Sequence, residues 1–320
     1  MNNPTTKKEF SSSSEQEVFQ SYEKAGKIVS KVRNEASKLI NDGLAIIELV
    51  EFVESKIIKE GGGIAFPCNV SVNEITAHYT SPPNDKNIIN GGDLVKLDLG
   101  AEVNGYIADS AITIIAKGDS DLSDDETNKN ESLIEASDAA LDVAISTVKA
   151  GVEVKDIGGE VEKTITGLGF SPIRNLAGHS LEQWDLHSGL SIPNVKDNRA
   201  GKLEEGDVIA IEPFVTNGVG YVVDVPAVNI FKFLKNRSFR LQYTKKVLNH
   251  IRRNYPNLPF SFRWLTEEFN SNRLNSSIKE LSDSMAIYPY NILREKSGAW
   301  VAQKEHTLIV EKEGCHITTV

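Results

Sequence analysis

Cysteine is scarce in this chain: Cys68 and Cys315 are the two present in 320 residues. They form no spaced metal-binding pattern and supply no disulfide framework. A nucleophilic Cys68 is conceivable, but a small thiol that simply packs is the expectation. Long apolar runs are also missing. None approaches the roughly 20 residues of a membrane helix, and the N-terminus is too polar for a signal peptide. A cytoplasmic protein is therefore expected. Positive charge is in deficit, with 35 Lys and Arg against 45 Asp and Glu. The net charge of −10 argues against general nucleic-acid binding and favours solubility. What is present suits one large globular unit over 15–320, with 40% hydrophobic residues. Residues 1–14, with Ser11 to Ser14 in a row, read as a disordered polar tail.

Within that unit, acids occur where acids are hard to explain. Asp98, Asp109, Glu212 and Glu305, with His179, are candidate metal ligands. The acids lie in the apolar, strand-like stretches Val95–Gly100, Tyr106–Ala111, Val208–Pro213 and Glu305–Val310. A carboxylate buried without a partner is prohibitive, so buried acids are paired or bind a metal. Four carboxylates and an imidazole form a set that can hold two divalent ions. Asn104-Gly105 signals a type I′ hairpin turn. Pairing Val103 with Tyr106 sets Asp98 opposite Ala111 and Asp109 opposite Gly100, so both acids share a face as diagonal neighbours. Two bare carboxylates at that spacing repel, and a cation between them removes the conflict.

The segments Lys96-Leu97-Asp98-Leu99-Gly100, Ile107-Ala108-Asp109-Ser110, Ala177-Gly178-His179, Ile211-Glu212-Pro213-Phe214 and Glu305-His306-Thr307 resemble, in order and rough spacing, the metal-site motifs of methionine aminopeptidases. Ala65 to Glu74 and Ala77-His78-Tyr79-Thr80 are similar to that family as well, and the likeness runs from about residue 16 to the C-terminus. It implies an α+β pita-bread fold, two pseudo-symmetric halves around a central antiparallel sheet. An internal echo supports the duplication independently. Helical stretches end at Gly43 and Gly61, then at Gly151 and Gly169, both pairs eighteen residues apart, the first followed by a Phe-Pro-containing strand and the second by Phe170-Ser171-Pro172.

The resemblance also implies the chemistry: removal of the N-terminal methionine of nascent polypeptides, with a small second residue favoured. Asp98 should chelate one ion, Asp109 and Glu305 should bridge both, and His179 and Glu212 should complete the second. The two divalent ions could be Co, Mn, Fe or Zn. Glu212 would relay the water's proton to the departing amine, and His78 and His187 would contact the scissile amide and carbonyl. Phe66, Pro67, Leu186, Phe214 and Tyr290 match positions near the methionine pocket. His306, on the opposite strand face, reads as a supporting residue. One departure stands out: Lys304 occupies a position where relatives usually carry phenylalanine. Strand alternation points it away from the Glu305 face.

A helical insertion between Ile230 and about Ala299, with helices expected over 239–255 and 273–286, marks the type II branch and a short, archaeal-like form. Between Phe231 and Thr266 stand nine Lys or Arg and no acid. That asymmetry points to a ribosome or RNA contact, against the plainer reading of a solvated face. The acid-rich run 118–131 superficially resembles a calcium loop but lacks its glycine and terminal acid, so a surface loop entering a helix is expected. No partner beyond the substrate is otherwise indicated, and a monomer is expected. Prolidases and Xaa-Pro aminopeptidases share the fold and ligands, but as a rule lack the helical insertion and carry another N-terminal domain. An inactive RNA-binding relative would have lost the five ligands that are intact here.

Overall fold

A computed structural model describes residues 13–198 and 200–320. The expected tail lies outside the described residues from 1 to 12, and Ser13 and Ser14 already belong to the first helix. The chain opens with α1 (Ser13–Ala36) and α2 (Ile46–Lys59), then β1 (Gly63–Val72), β2 (Ile75–Ala77), β3 (Leu94–Val103) and β4 (Tyr106–Ile115). The order then repeats with α3 (Asp124–Thr147) and α4 (Val154–Gly167). These lead into β5 (Ser171–Pro172), β6 (Ala177–Ser180), β7 (Ser191–Pro193), β8 (Val208–Ile211), β9 (Phe214–Thr216) and β10 (Val222–Phe233).

The echo in the sequence is a structural repeat. α1 and α3 each have 24 residues, and α2 and α4 each have 14. Gly43, Gly61, Gly151 and Gly169 all adopt left-handed φ between 79° and 89°. A side chain resists that conformation, which suits glycine to Gly61 and Gly169 just beyond the ends of α2 and α4. Gly43 and Gly151, expected to end helices, instead lie in the turns that lead into α2 and α4, since α1 ends at Ala36 and α3 at Thr147. Each helix pair covers one face of its own sheet. Val29, Leu49 and Val53 pack with Leu97 and Leu99, while Ala140, Ile157 and Ile165 pack with Ile209 and Leu308. The run 118–122 is a loop, and α3 starts at a capping box in which Ser123 and Glu126 satisfy each other's backbone N–H.

The remaining elements are α5 (Gln242–Asn254), β11 (Phe260–Ser261), α6 (Phe262–Leu265), α7 (Ser271–Asp283), β12 (Ile287–Glu295), β13 (Val301–Gln303), β14 (His306–Glu311) and β15 (Gly314–Ile317). α5 and α7 fall close to the two expected helices, whereas the short β11–α6 turn has no periodicity to announce it. The helical part has its own core of Phe231, Val247, Ile251, Phe260, Leu274 and Leu281. Beyond it the chain returns as β12, antiparallel to β10 from Val222–Glu295 to Phe233–Ile287. The inserted helices thus cap a hairpin whose arms belong to the sheet β11-β10-β12-β2. The other sheets run β1-β3-β4, β13-β9-β5 and β15-β14-β8-β6-β7.

Candidate active site

The hairpin at the centre forms as its turn residues dictate. Asn104 and Gly105 have φ of 55° and 85°, and Val103 pairs with Tyr106. The register therefore sets Asp98 opposite Ala111 and Asp109 opposite Gly100. On the other side of β3, an irregularity in β1 brings Phe66 opposite Gly100 and Asn69 opposite Asp98. Gly100 must lack a side chain, because a Cβ there would lie 2.3 Å from the Phe66 ring.

The second half supplies the rest. His179 on β6 pairs with Ala210 of β8, Glu212 follows the end of β8, and the Glu305 N–H donates to Ala111 O at 2.9 Å. Two threonines stitch the halves together. Thr307 Oγ1 accepts from Asp109 N–H and donates to Asp109 O, both at 2.8 Å. Thr113 Oγ1 makes the same pair of bonds with the Gln303 backbone at 2.7 Å.

All five candidate ligands face one cavity of about 70 Å³. His179 Nε2 lies 3.8 Å from both Asp109 Oδ2 and Glu212 Oε1. One ligand atom each from Asp109, His179 and Glu305 falls within a mutual 4.8 Å. His78, His187, Phe66, Leu186 and Tyr290 line the same cavity. Pro67 and Phe214 do not. Phe214 is buried in an apolar cluster with Ala77, Ile173, Val222 and Val301, so its expected place at the pocket is corrected to a core position. His306 bonds Thr319 Oγ1 at 2.7 Å, away from the cavity, and Lys304 reaches Asp138 on α3 at 3.2 Å. Cys68 is a free, buried thiol pushed well up by burial, which leaves it unreactive.

Burial disturbs every acid here, and repulsion adds to it at Asp109, Glu212 and Glu305. Asp98 is pushed up to about 7 by burial, against the pull of side-chain bonds from Asn69 and Gln303. Asp109, Glu212 and Glu305 are held well above the carboxylate range by burial first and by neighbouring carboxylates second. Burial and the neighbouring His187 bring His179 down to about 3, so its imidazole is neutral at physiological pH. Oδ1 of Asp98 and Oδ1 of Asp109 are buried with no hydrogen-bond partner. Buried acceptors are rarely left so, and oxygen donors that repel one another around a neutral imidazole fit a divalent cation.

The histidines at the wall are also tuned. His78 has a left-handed φ of 64°, a strained state for a non-glycine residue that often marks functional positions. Its Nδ1 lies 3.1 Å from the Asn291 carbonyl. A carbonyl only accepts, so Nδ1 carries the proton and Nε2 of the neutral ring is left as an acceptor. Burial lowers the pKa of both wall histidines, His187 to about 4. The His187 ring sits 4.3 Å from that of His179 and 6.4 Å from that of Tyr290. Asn69 and Gln303 were missed by the sequence reading. Each is an amide alone on an apolar strand, the same signal that picked out the acids.

Comparison with known proteins agrees with this geometry. A family model described as Metallopeptidase family M24 matches residues 20–239. A protein of Methanothermobacter thermautotrophicus named methionine aminopeptidase is 58% identical over 302 residues, covering 94% of this chain and 99% of that one. Among solved structures, a thermophilic Arx1 aligns with a TM-score of 0.82 at 21% identity over 94% of this chain and 90% of that chain. The methionine aminopeptidase of Thermotoga maritima aligns with a TM-score of 0.67 at 22% identity, covering 97% and 98%. At those identities the two structures share a fold with this chain.

Proposed function

The chain belongs to metallopeptidase family M24, in its methionine aminopeptidase branch, and we propose that Asp98, Asp109, His179, Glu212 and Glu305 hold two divalent cations where the N-terminal methionine of a nascent polypeptide is removed. The two helix-sheet halves are the pita-bread fold. The observation that carries the reading is the convergence of four repelling carboxyls and one neutral imidazole on a single cavity. Bound there, Mn, Co, Fe or Zn would polarise the carbonyl and make water acidic near neutral pH.

The chain's own groups do the rest. Phe66, Leu186 and Tyr290 give the methionine side chain an apolar wall. Nε2 of His78, held as an acceptor, takes the scissile N–H. His187, neutral and beside the ligand histidine, donates to the carbonyl oxygen as negative charge grows there. Glu212, a carboxylate on the cavity wall with one oxygen 3.8 Å from His179 Nε2 and the other 3.5 Å from the Gln303 amide, would carry the water's proton to the leaving amine. The closeness of His78, His187 and Tyr290 around the scissile bond favours a small second residue.

The test is methionine release from Met-Ala-Ser, Met-Lys-Ser and Ala-Pro peptides by cation-stripped protein, with and without added Mn or Co. Cation-dependent cleavage of Met-Ala-Ser alone is expected. Cleavage of Ala-Pro would move the protein to the proline-directed peptidases, a reading the 58%-identical relative does not favour.

The site acts in the cytoplasm, on a monomer, close to where chains emerge from the ribosome. Among the described residues no helix is long and apolar enough to cross a membrane. α5 buries Val247, Leu248 and Ile251 and turns Lys246, Arg252 and Arg253 outward, with Lys245 half-buried. Two other cations of the basic stretch are already paired, Arg263 with Glu54 and Lys232 with Asp185. A single basic helix face suits an anionic surface such as ribosomal RNA. Neutralising Lys245, Lys246, Arg252 and Arg253 together should weaken ribosome co-sedimentation severalfold and flatten its dependence on salt, because fewer counterions are released on binding. Unchanged co-sedimentation would leave α5 a merely solvated face.

A further inference from the structure

Where substrate leaves the cavity, the sequence has placed one cation and one anion. Ile230 and Tyr290 are cross-strand partners on β10 and β12, and both line the cavity. The next pair on the same face is Lys232 and Tyr288. Two residues along a strand advance about 7 Å, so this pair stands one step further out. Exposure agrees: Ile230 is 4% exposed and Tyr288 47%. The Lys232 ammonium crosses the mouth to Asp185 Oδ1 at 3.2 Å. Asp185 belongs to the β6–β7 loop, and its Oδ1 also accepts the backbone N–H of His187 at 3.4 Å. The pair therefore joins the wall built by β10 and β12 to the loop that carries His187.

We infer that Lys232 and Asp185 form a charge gate that reads the substrate residue after the small second one. The inference rests on the proposed peptidase reading, in which the methionine fills the cavity. An extended peptide advances about 3.3 Å per residue, so its third residue comes level with a group about 7 Å beyond the wall. In the intact pair the two charges offset each other, and neither sign of substrate side chain is strongly preferred. Removing one partner leaves the other to select. A rim charge of this kind is worth roughly twofold to fivefold in rate constants, and less in salt.

The experiment compares kcat/KM for Met-Ala-Asp-Ser, Met-Ala-Ser-Ser and Met-Ala-Lys-Ser in cation-loaded wild type, Lys232→Met and Asp185→Asn. Methionine keeps the lysine stem, and asparagine keeps the acceptor for His187 N–H. Lys232→Met should raise the Lys-to-Asp peptide ratio about threefold, and Asp185→Asn should lower it about threefold. Both shifts should shrink toward one in about 0.5 M salt. A common factor across all three peptides in either variant would mean that the pair only pins the loop, and the gate would be wrong. Unshifted ratios, with wild type still turning over Met-Ala-Ser-Ser, would remove the gate and leave the peptidase reading intact. No methionine release by wild type from any of the three would remove both.

Discussion

Replacing Asp109 with asparagine is expected to lower kcat/KM on Met-Ala-Ser by on the order of 10³-fold or more, since bound divalent cations contribute several kcal/mol to carbonyl hydrolysis. Cation content should fall with it. The substitution is nearly isosteric, and the two bonds to Thr307 use the Asp109 backbone, so the hairpin keeps its place. The same change should make the cation-free protein more stable. Asp109 is buried, has one oxygen without a partner and is pushed up by Asp98 and Glu212 as well as by burial. Whether it holds a proton or a charge at pH 8, it costs free energy that an amide does not. Relief of an unsatisfied buried charge is worth about 1–3 kcal/mol, roughly 5 °C in Tm for a chain of this size. Glu305→Gln should behave alike, being raised by burial first and then by Asp109, Glu212 and Asp98. Opposite movement of activity and cation-free Tm is the signature. A fully active Asp109→Asn or Glu305→Gln protein would overturn the two-cation reading.

That trade of stability for chemistry explains why the site could be read before the fold. A carboxylate on an apolar strand is a local anomaly, visible without knowing what packs on it. Asp98, Asp109, Glu212 and Glu305 announce themselves in this way, and the Asn104-Gly105 turn fixes the relative register of the first two. Asn69 and Gln303 carry the same anomaly in weaker form, because a neutral amide is less costly to bury and draws less notice. The repeat was legible for a related reason: Gly43, Gly61, Gly151 and Gly169 supply the left-handed backbone at the turns into α2 and α4 and at the ends of those helices whatever surrounds them.

What escaped depends on contacts distant in sequence. The irregularity in β1 that turns Phe66 onto Gly100 and Asn69 onto Asp98 is set by β3, some thirty residues away. β11 and α6 are too short for a hydrophobic period and are held by Phe260 and Leu265 in a core shared with Phe231 and Ile287. Phe214 departs from its expected place for a simpler reason. It lies two residues beyond Glu212, but Pro213 intervenes and β9 carries its side chain into the cluster behind the wall.

Cation uptake should release protons, and its apparent affinity should rise steeply with pH. In the cation-free fold Asp98 sits at about 7, and Asp109, Glu212 and Glu305 are also held well above the carboxylate range. At pH 5–7 these groups still carry protons that a cation must displace. Each displaced proton makes affinity tenfold tighter per pH unit, so one proton gives about a hundredfold from pH 5 to 7 and two give about 10⁴-fold. His179, at about 3, is neutral throughout and contributes none.

The stability linkage has the matching sign. A carboxyl raised above its unfolded value of about 4 stabilises the cation-free fold below that value, and this contribution is lost as pH climbs through the folded pKa. His187 and His306, lowered to about 4 and about 3, act oppositely below pH 6.5, but alike with or without cation. They cancel in the difference. The Tm gain on adding Mn or Co should therefore widen from pH 5.5 to 7.5. Calorimetric titration in two buffers of different ionisation enthalpy counts the protons directly. An affinity that is flat with pH, with no protons released, would mean that the acids are already ionised, and the account of their mutual repulsion would have to be abandoned.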